Sequence, residues 1–143
     1  MKHITTRKRM LTSVILSLTL VVVIGITVFA AARAYGGFGY GGVDAAGWLN
    51  VTWNTGKDSI NAGTDTISAT KAAVNAKYKI GVRCTAYKGG KLIKNSGSDT
   101  TVTSSDTKVS TSMFINADKV TSIHNITTAS GVVKKSRSLE TAN

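Results

Sequence analysis

Few residues in this chain have side chains that could act as a nucleophile or as a general base. After position 34 the sequence holds one cysteine, Cys84, one histidine, His124, and one glutamate. His124 could form a hydrolase triad with an aspartate and either Ser122 or Ser130, or a thiol dyad with Cys84. The sequence has no Gly-x-Ser-x-Gly turn to expose a serine, and Cys84 falls among apolar residues, where cysteine is usually inert. We therefore predict that the protein is not an enzyme, that Cys84 is buried and that His124 is a polar surface residue of a strand.

The same scarcity argues against a metal ion or a cofactor. A zinc site typically takes three or four protein ligands, whereas Cys84 and His124 lie far apart in the sequence. The aspartates are scattered over separate turns and do not follow the spacing of a calcium-binding loop. The sequence therefore predicts neither a metal site nor a cofactor site.

The basic residues are more informative. Between positions 71 and 94 the sequence contains seven lysines and arginines and no acidic residue. Three residues of one strand and three of the hairpin that follows form the basic stripe that we predict: Lys77, Lys79, Arg83, Lys88, Lys91 and Lys94. Such a stripe attracts an anionic polymer such as teichoic acid, or the headgroups of a membrane surface. The alternative interpretation is a solvated face that keeps the sheet soluble and protects its edges.

The basic stripe depends on the clearest alternating pattern in the sequence. Seven apolar residues occupy consecutive alternate positions: Val74, Ala76, Tyr78, Ile80, Val82, Cys84 and Ala86. A period of two predicts a strand of an antiparallel sheet with one face in the core and the other in water. Because the run is long for one strand, we expect a bend at Gly81. Tyr87 is the only aromatic residue in the outward phase, which makes nucleic acid the least favoured anionic partner.

Turn residues and further alternating segments divide the rest of the chain after position 47. Lys88-Gly89-Gly90-Lys91 predicts a tight hairpin, because two glycines accept the positive φ angles of a primed turn. We predict strands at 48–55, 107–116, 120–128 and 132–139, a weak edge strand at 61–69, a loop at 95–98 and a frayed end at 140–143. About seven short strands without a helical period predict an all-β fold. We expect an antiparallel β-sandwich, immunoglobulin-like in the loose sense, with a Greek-key barrel as the alternative.

The N-terminus has the layout of an export signal with a hydrophobic helix. An uncharged run of 23 residues, 10–32, follows four basic residues and ends at Arg33. Ala32 and Ala34 fit the A-x-A pattern, so we predict cleavage after Ala34. Cleavage after Ala32 is the second choice, and an uncleaved membrane anchor is the alternative. These boundaries divide the chain into three parts: a signal peptide or anchor at 1–34, a glycine-rich flexible arm at 35–47 and a β-sandwich domain at 48–143.

Composition and layout together suggest where the protein works. The chain has a net charge of +11, and the part after Ala34, with 13 basic and seven acidic residues, keeps a charge of +6. A basic signal, a glycine-rich start and strands rich in serine and threonine follow one another. In this layout the chain resembles small secreted all-β proteins of Gram-positive bacteria. The export signal, cleaved or kept as an anchor, predicts a protein that is secreted or held at the extracellular face of the cell membrane.

Two functional classes fit this location. The first is a non-enzymatic interaction or structural module that binds anionic surface polymers or assembles with itself. The second is a secreted bacteriocin-like or membrane-active toxin. In the first class, the aromatic residues of the arm, Tyr35, Phe38 and Tyr40, are candidate contacts for a wall polymer or a neighbouring subunit.

Overall fold

A computed structural model describes residues 30–143 of the chain. The predicted export helix lies outside these residues. The described part contains eight strands and one short helix: β1 (Ala30–Tyr40), β2 (Val43–Trp53), β3 (Asp58–Ala69), α1 (Lys71–Asn75), β4 (Lys79–Lys88), β5 (Lys91–Thr101), β6 (Lys108–Ile115), β7 (Lys119–Thr127) and β8 (Val133–Ala142). A search of the same residues finds no helix that is long and apolar enough to cross a membrane.

The strands form two antiparallel sheets of four strands each, and the predicted all-β class is confirmed. Sheet 1 has the order β1-β2-β3-β6, and sheet 2 has the order β5-β4-β7-β8. Apolar side chains of both sheets meet in one shared core, as in a β-sandwich. The strand order differs from the ABED and CFG sheets of an immunoglobulin domain, so the likeness ends at the two packed sheets.

The core follows from the alternation of side chains along each strand. In β4 the predicted inward residues Ile80, Val82, Cys84 and Ala86 are all buried, whereas Arg83 between them is exposed. Burying one valine, leucine or isoleucine side chain contributes about 1.5–3 kcal/mol. The period-two pattern therefore accounts for the attraction between the sheets.

The hairpin predicted from two adjacent glycines is confirmed. Lys88 pairs with Lys91 across the turn, and Gly89 and Gly90 have φ angles of 55° and 74°. Two positive φ angles define a type I′ turn, whose twist matches that of the flanking strands.

The alternating run at 74–86 is not one strand, which corrects the prediction. Its first part overlaps α1, for which Thr70 is the N-cap: the Thr70 hydroxyl accepts a hydrogen bond from the Ala73 N–H at 3.2 Å. Lys77 has a φ angle of 53° and turns the chain before β4 begins at Lys79. A capping threonine followed by lysine and alanine, which favour helix, outweighs the alternation here.

Within β4, the bend expected at Gly81 does not occur. The pairing with both neighbouring strands runs through Gly81 without a shift. The register shift lies between Ala86 and Tyr87, where Ile93 is the extra residue on the edge strand β5. The irregularity is therefore a β-bulge next to the hairpin, a common place for one at a sheet edge.

The glycine-rich segment 35–47 belongs to β1 and β2, so the prediction of a flexible arm is corrected. The two strands are joined by a tight turn at Gly41 and Gly42, whose φ angles are 60° and 84°. Elsewhere in the segment, glycine allows close packing: a Cβ on Gly47 would lie 2.6 Å from Cδ2 of His124 in sheet 2. The missing side chains thus make room for the other sheet.

The predicted cleavage point after Ala34 falls inside β1. Residues 30–34 pair with residues 49–53 of β2, and Ala32 and Ala34 pack against the core. Cleavage after Ala34 would therefore remove residues 30–34 of β1, and residues 49–53 of β2 would lose their paired strand on that side.

Several strands have a polar composition, and the sequence pattern therefore predicted them incorrectly. The segment 61–69, expected as an edge strand, belongs to β3 in the middle of sheet 1. The expected loop at 95–98 lies within β5, and β8 continues through the end that was expected to fray. The strands predicted at 107–116, 120–128 and 132–139 are confirmed as β6, β7 and β8, with small differences in their bounds.

Candidate binding groove on sheet 2

The outer face of sheet 2 carries part of the predicted basic stripe. On β4, Lys79, Gly81 and Arg83 occupy successive outward positions, in alternation with the buried Ile80 and Val82. Two cations therefore flank a position that has no side chain.

A groove of about 560 Å³ results from this arrangement. Its floor is formed by the backbone at Gly81 of β4 and Gly97 of the neighbouring β5. The polar residues that line it include Lys79, Arg83, Asn95, Asp99, Asn125 and Thr127. A groove with a backbone floor and with amide, hydroxyl and cationic groups in its walls suits an extended polar ligand.

The depth of the groove depends on its two glycines. A Cβ on Gly81 would lie 2.6 Å from Oδ1 of Asn125, and a Cβ on Gly97 would lie 3.0 Å from the carbonyl oxygen of Val82. A side chain at Gly81 would therefore displace Asn125 and fill the groove.

The two cations of the groove have different surroundings. Lys79 Nζ lies 3.8 Å from Oδ1 of Asp99, whose side chain is 65% exposed. Arg83 takes part in none of the ion pairs found among residues 30–143. Because exposed ion pairs contribute little free energy, both cations remain available to an anionic ligand, and the charge of Arg83 is the uncompensated one.

The structure does not bring the predicted basic stripe together as one surface. Of its three strand residues, only Lys79 and Arg83 lie on the outer face of sheet 2. Lys77 lies in the turn between α1 and β4, with its backbone in the left-handed region. The prediction that all three project from one strand face is therefore wrong for Lys77.

The three hairpin lysines of the basic stripe lie outside the groove. Lys88 and Lys91 face each other beside the turn, and Lys88 Nζ donates a hydrogen bond to Oδ1 of Asn116. Lys94 pairs with Ala86, an inward position of β4, so it lies on the opposite side of the edge strand from the groove. None of the three is among the residues that line the groove.

Sequence reasoning missed the neutral part of the groove. Asn95 and Gly97 belong to a polar segment that was expected to be a loop, and Asn125 comes from β7. These residues meet because β5 and β7 are the two neighbours of β4 in sheet 2. The strand order decides this, and no local pattern in the sequence encodes it.

A second group of polar side chains lies inside the sandwich around His124. His124, Ser122 and Thr64 are each 0% exposed. Ser122 Oγ lies 2.7 Å from Nε2 of His124, and Thr64 Oγ1 lies 2.9 Å from Nδ1. The prediction of a surface histidine is wrong, because Gly47 in sheet 1 leaves room for the imidazole and two hydroxyls satisfy its nitrogens.

The hydrogen bonds assign the protonation state of His124. Thr64 donates its hydroxyl proton to the carbonyl oxygen of Gly81 at 2.9 Å, so its oxygen accepts from Nδ1–H of His124. Nε2 is then the acceptor for the hydroxyl of Ser122. Burial lowers the pKa of His124 to about 4, although a hydrogen bond with the backbone of Gly63 opposes this shift. The imidazole is therefore neutral near pH 7.

The pair Ser122 and His124 has the hydrogen bond of a nucleophile and its base, but a substrate cannot reach it in this conformation. Neither side chain has exposed surface, and a threonine occupies the place of the orienting aspartate. Ser130, the other candidate nucleophile, is exposed near the start of β8 and lies 2.9 Å from the hydroxyl of Thr128. The buried group therefore satisfies the polar atoms of the core rather than presenting them to a ligand.

Cys84 is buried, as the sequence predicts. Burial raises the pKa of its thiol to about 11, although a hydrogen bond with the backbone of Thr85 opposes this shift. We therefore expect a thiol reagent to label the native protein far more slowly than the unfolded chain, since the thiolate is the reactive form. Cys84→Ser should lower the free energy of unfolding in urea by about 1–3 kcal/mol, through a poorly satisfied buried hydroxyl. Rapid labelling of the native protein would contradict both expectations.

Metal-ligating side chains do not cluster in this part of the chain: within residues 30–143, no group of three or more histidine, cysteine, aspartate or glutamate side chains could hold a metal ion.

Comparison of the chain with protein-family models, with curated proteins and with solved structures gives no match. Function must therefore be argued from the geometry of the groove and of the sheet faces.

Proposed function

We propose that this protein is a non-enzymatic interaction module of the cell surface that binds an anionic polymer in the groove on sheet 2. The observation that carries the proposal is the position of Lys79 and Arg83 on either side of the backbone floor at Gly81. Residues four apart on a strand are separated by about 13 Å. The two cations can therefore engage separate anionic groups of one extended ligand.

A polyol phosphate polymer of the teichoic acid type fits the groove better than a membrane does. Guanidinium groups bind phosphate through paired hydrogen bonds, and an ammonium group binds it as a point charge. Between phosphates, the hydroxyls of the polymer would meet Asn95, Asn125 and Thr127. The flat surface of a bilayer cannot enter a groove whose floor is the sheet backbone, so the soluble polymer is the favoured ligand.

Two features of the sequence support a location where such polymers occur. The uncharged run at 10–32 follows a basic N-terminus, which is the layout of an export signal. The net charge of +6 on the part after Ala34 would also steer the protein towards polyanions over long distances.

Exchange of Lys79 and Arg83 for glutamine should weaken binding to purified teichoic acid by roughly tenfold or more, since a hydrogen bond to a charged group contributes about 1.5–3 kcal/mol. Isothermal titration calorimetry at low salt measures the loss. Binding of the unchanged protein should also fall as salt is raised, because the interaction is electrostatic. The thermal midpoint should hardly change, since Arg83 is exposed and the 3.8 Å ion pair of the half-buried Lys79 with the exposed Asp99 contributes little to stability.

The matched control exchanges Lys91 and Lys94 for glutamine. Both residues are exposed, carry the same total charge and belong to the predicted basic stripe, but neither lines the groove. An equal loss of affinity in this variant would mean that only the net charge of the protein determines binding, and it would contradict binding in the groove. Binding to vesicles of anionic lipid without binding to soluble teichoic acid would assign the cations to a membrane surface instead.

A further inference from the structure

An aromatic platform lies on the outer face of sheet 1, away from the groove. Trp48 of β2 lies across the backbone of the next strand, where a Cβ on Gly63 would be 2.6 Å from Cε2 of the indole. The indole Nε1–H donates a hydrogen bond to Oδ2 of Asp65 at 3.2 Å, which fixes the orientation of the ring. Tyr35 of β1 stands directly opposite Trp48 and is 67% exposed. Tyr35 is therefore mostly exposed and Trp48 is half-buried, and both side chains belong to the outer face of sheet 1.

Uncharged hydrogen-bonding groups lie next to these rings. Asn50 of β2 and Asn61 of β3 face each other across the strands and are exposed. Ser110 and Ser112 of β6 continue the same face and are also exposed. Amide and hydroxyl groups both donate and accept, so they can bind a ligand that carries many hydroxyls.

The charges on this face are balanced. Its outward positions carry two basic and two acidic residues: Arg33, Lys108, Asp44 and Asp65. Residues 30–143 as a whole, by contrast, hold 14 basic and seven acidic residues and have a net charge of +7. The excess positive charge therefore lies elsewhere, and this face has no net charge that would favour a polyanion over a neutral ligand.

We propose that the outer face of sheet 1 binds a neutral polysaccharide of β-linked pyranose rings. Such rings hold their hydroxyls at the edge and present C–H groups on both faces, and an aromatic surface buries these apolar faces. The backbones of neighbouring strands lie about 4.8 Å apart, and the indole of Trp48 extends over Gly63, away from Tyr35. The two rings can therefore contact different sugars of one chain. Asn50 and Asn61 bind the hydroxyls at the edge. The site shares no residue with the groove on sheet 2.

The test uses chitohexaose as a soluble neutral probe and insoluble chitin as a matrix. The unchanged protein should bind both, and Tyr35→Ala should weaken binding about tenfold through the loss of one aromatic contact. Trp48→Ala should abolish measurable binding, whereas Trp48→Phe should retain most of it. Binding should persist at ~1 M salt, where the Debye length is about 3 Å, in contrast to binding of teichoic acid. Addition of chitohexaose should change the fluorescence of Trp48 over a constant contribution from the buried Trp53.

The matched control is Phe114→Ala, which removes another exposed aromatic ring from the same face at the β6 edge. It should bind as the unchanged protein does. Because Tyr35 is mostly exposed, Tyr35→Ala keeps the test valid even where Trp48→Ala fails to fold. The proposal is overturned by a failure of the unchanged protein to bind the neutral probes, or by an equal loss in Phe114→Ala. Binding of single-stranded oligo(dT) with the same dependence on Tyr35 and Trp48 would also overturn it, in favour of nucleobase stacking.

Discussion

Gly47→Ala is expected to destabilise the protein by about 2–3 kcal/mol through overpacking of the core. Gly47 is buried in β2, and the new methyl group would lie 2.6 Å from Cδ2 of His124. The imidazole cannot easily move aside, because hydrogen bonds to Ser122 and Thr64 hold both of its nitrogens. Unfolding in urea measures the loss directly, and a thermal scan should show a midpoint lowered by about 10 °C.

Two further variants connect this expected loss to the imidazole. Gly37→Ala places a methyl group on the neighbouring strand, where the nearest atom is the Ala45 carbonyl oxygen at 3.9 Å, so it should change stability by less than about 0.5 kcal/mol. Combining Gly47→Ala with His124→Ala should cost less than the sum of the two single losses, because the methyl group then occupies the space of the ring. Equal stability of Gly47→Ala and Gly37→Ala would contradict the close packing of His124 against β2.

The alternation of apolar and polar residues was enough to predict the all-β class and the core face of β4. In β4 it identified Ile80, Val82 and Cys84 as core residues, because a period of two leaves only one face of a strand to the core. The hairpin followed equally directly from Gly89 and Gly90, since positive φ angles are required there. Both features depend on residues that are close together in the sequence, so the local pattern is sufficient to predict them.

The polar core could not be predicted in the same way. A histidine in a strand has the same local sequence whether it faces water or the core. Ser122, on the same face of β7, is also polar, so the pattern favoured a surface position for both residues. What buries His124 is a partner in the other sheet: Gly47 provides the space and Thr64 provides a hydrogen bond. The same glycine lies in a segment whose composition favours flexibility, so the sequence alone predicted an arm there.

The candidate groove was also predicted only in part. Lys79 and Arg83 were predicted correctly as outward residues of one strand, whereas Lys77 was misplaced because the helix before β4 interrupts the alternation. Gly97 gave a loop signal and yet forms part of the groove floor. Its role depends on the pairing of β5 with β4, which involves residues distant in the sequence.

The two proposed sites lie on the outer faces of different sheets, with the core between them. The groove on sheet 2 offers cations and is proposed to bind a polyol phosphate, whereas the platform on sheet 1 offers aromatic rings and neutral groups and is proposed to bind a glycan. Because the sites share no residue, one molecule could bind both polymers at once. Such bivalent binding raises the overall affinity for a surface that contains both, without any new contact.

Acid is expected to destabilise the protein through His124. The pKa of this histidine is about 4 in the folded protein and near the ordinary value of 6.5 in the unfolded chain. As the pH falls below about 6.5, the unfolded chain takes up a proton that the folded protein does not accept until about pH 4. The free energy of unfolding should therefore be highest above this window and fall by about 2–3 kcal/mol across it, with no further loss from this group below it.

Unfolding in urea at a series of pH values between 7.5 and 4 measures this effect, with His124→Gln as the control. Carboxylates that titrate near the lower end contribute equally to both proteins, so the difference between the two curves isolates the histidine. The variant should be less stable at neutral pH, since its amide fits the two hydroxyls less well, but its stability should change less between pH 6.5 and pH 4. Parallel curves for the two proteins would show that His124 is protonated as readily in the folded state as in water, which is incompatible with the hydroxyl of Ser122 donating to its Nε2 in a dry core.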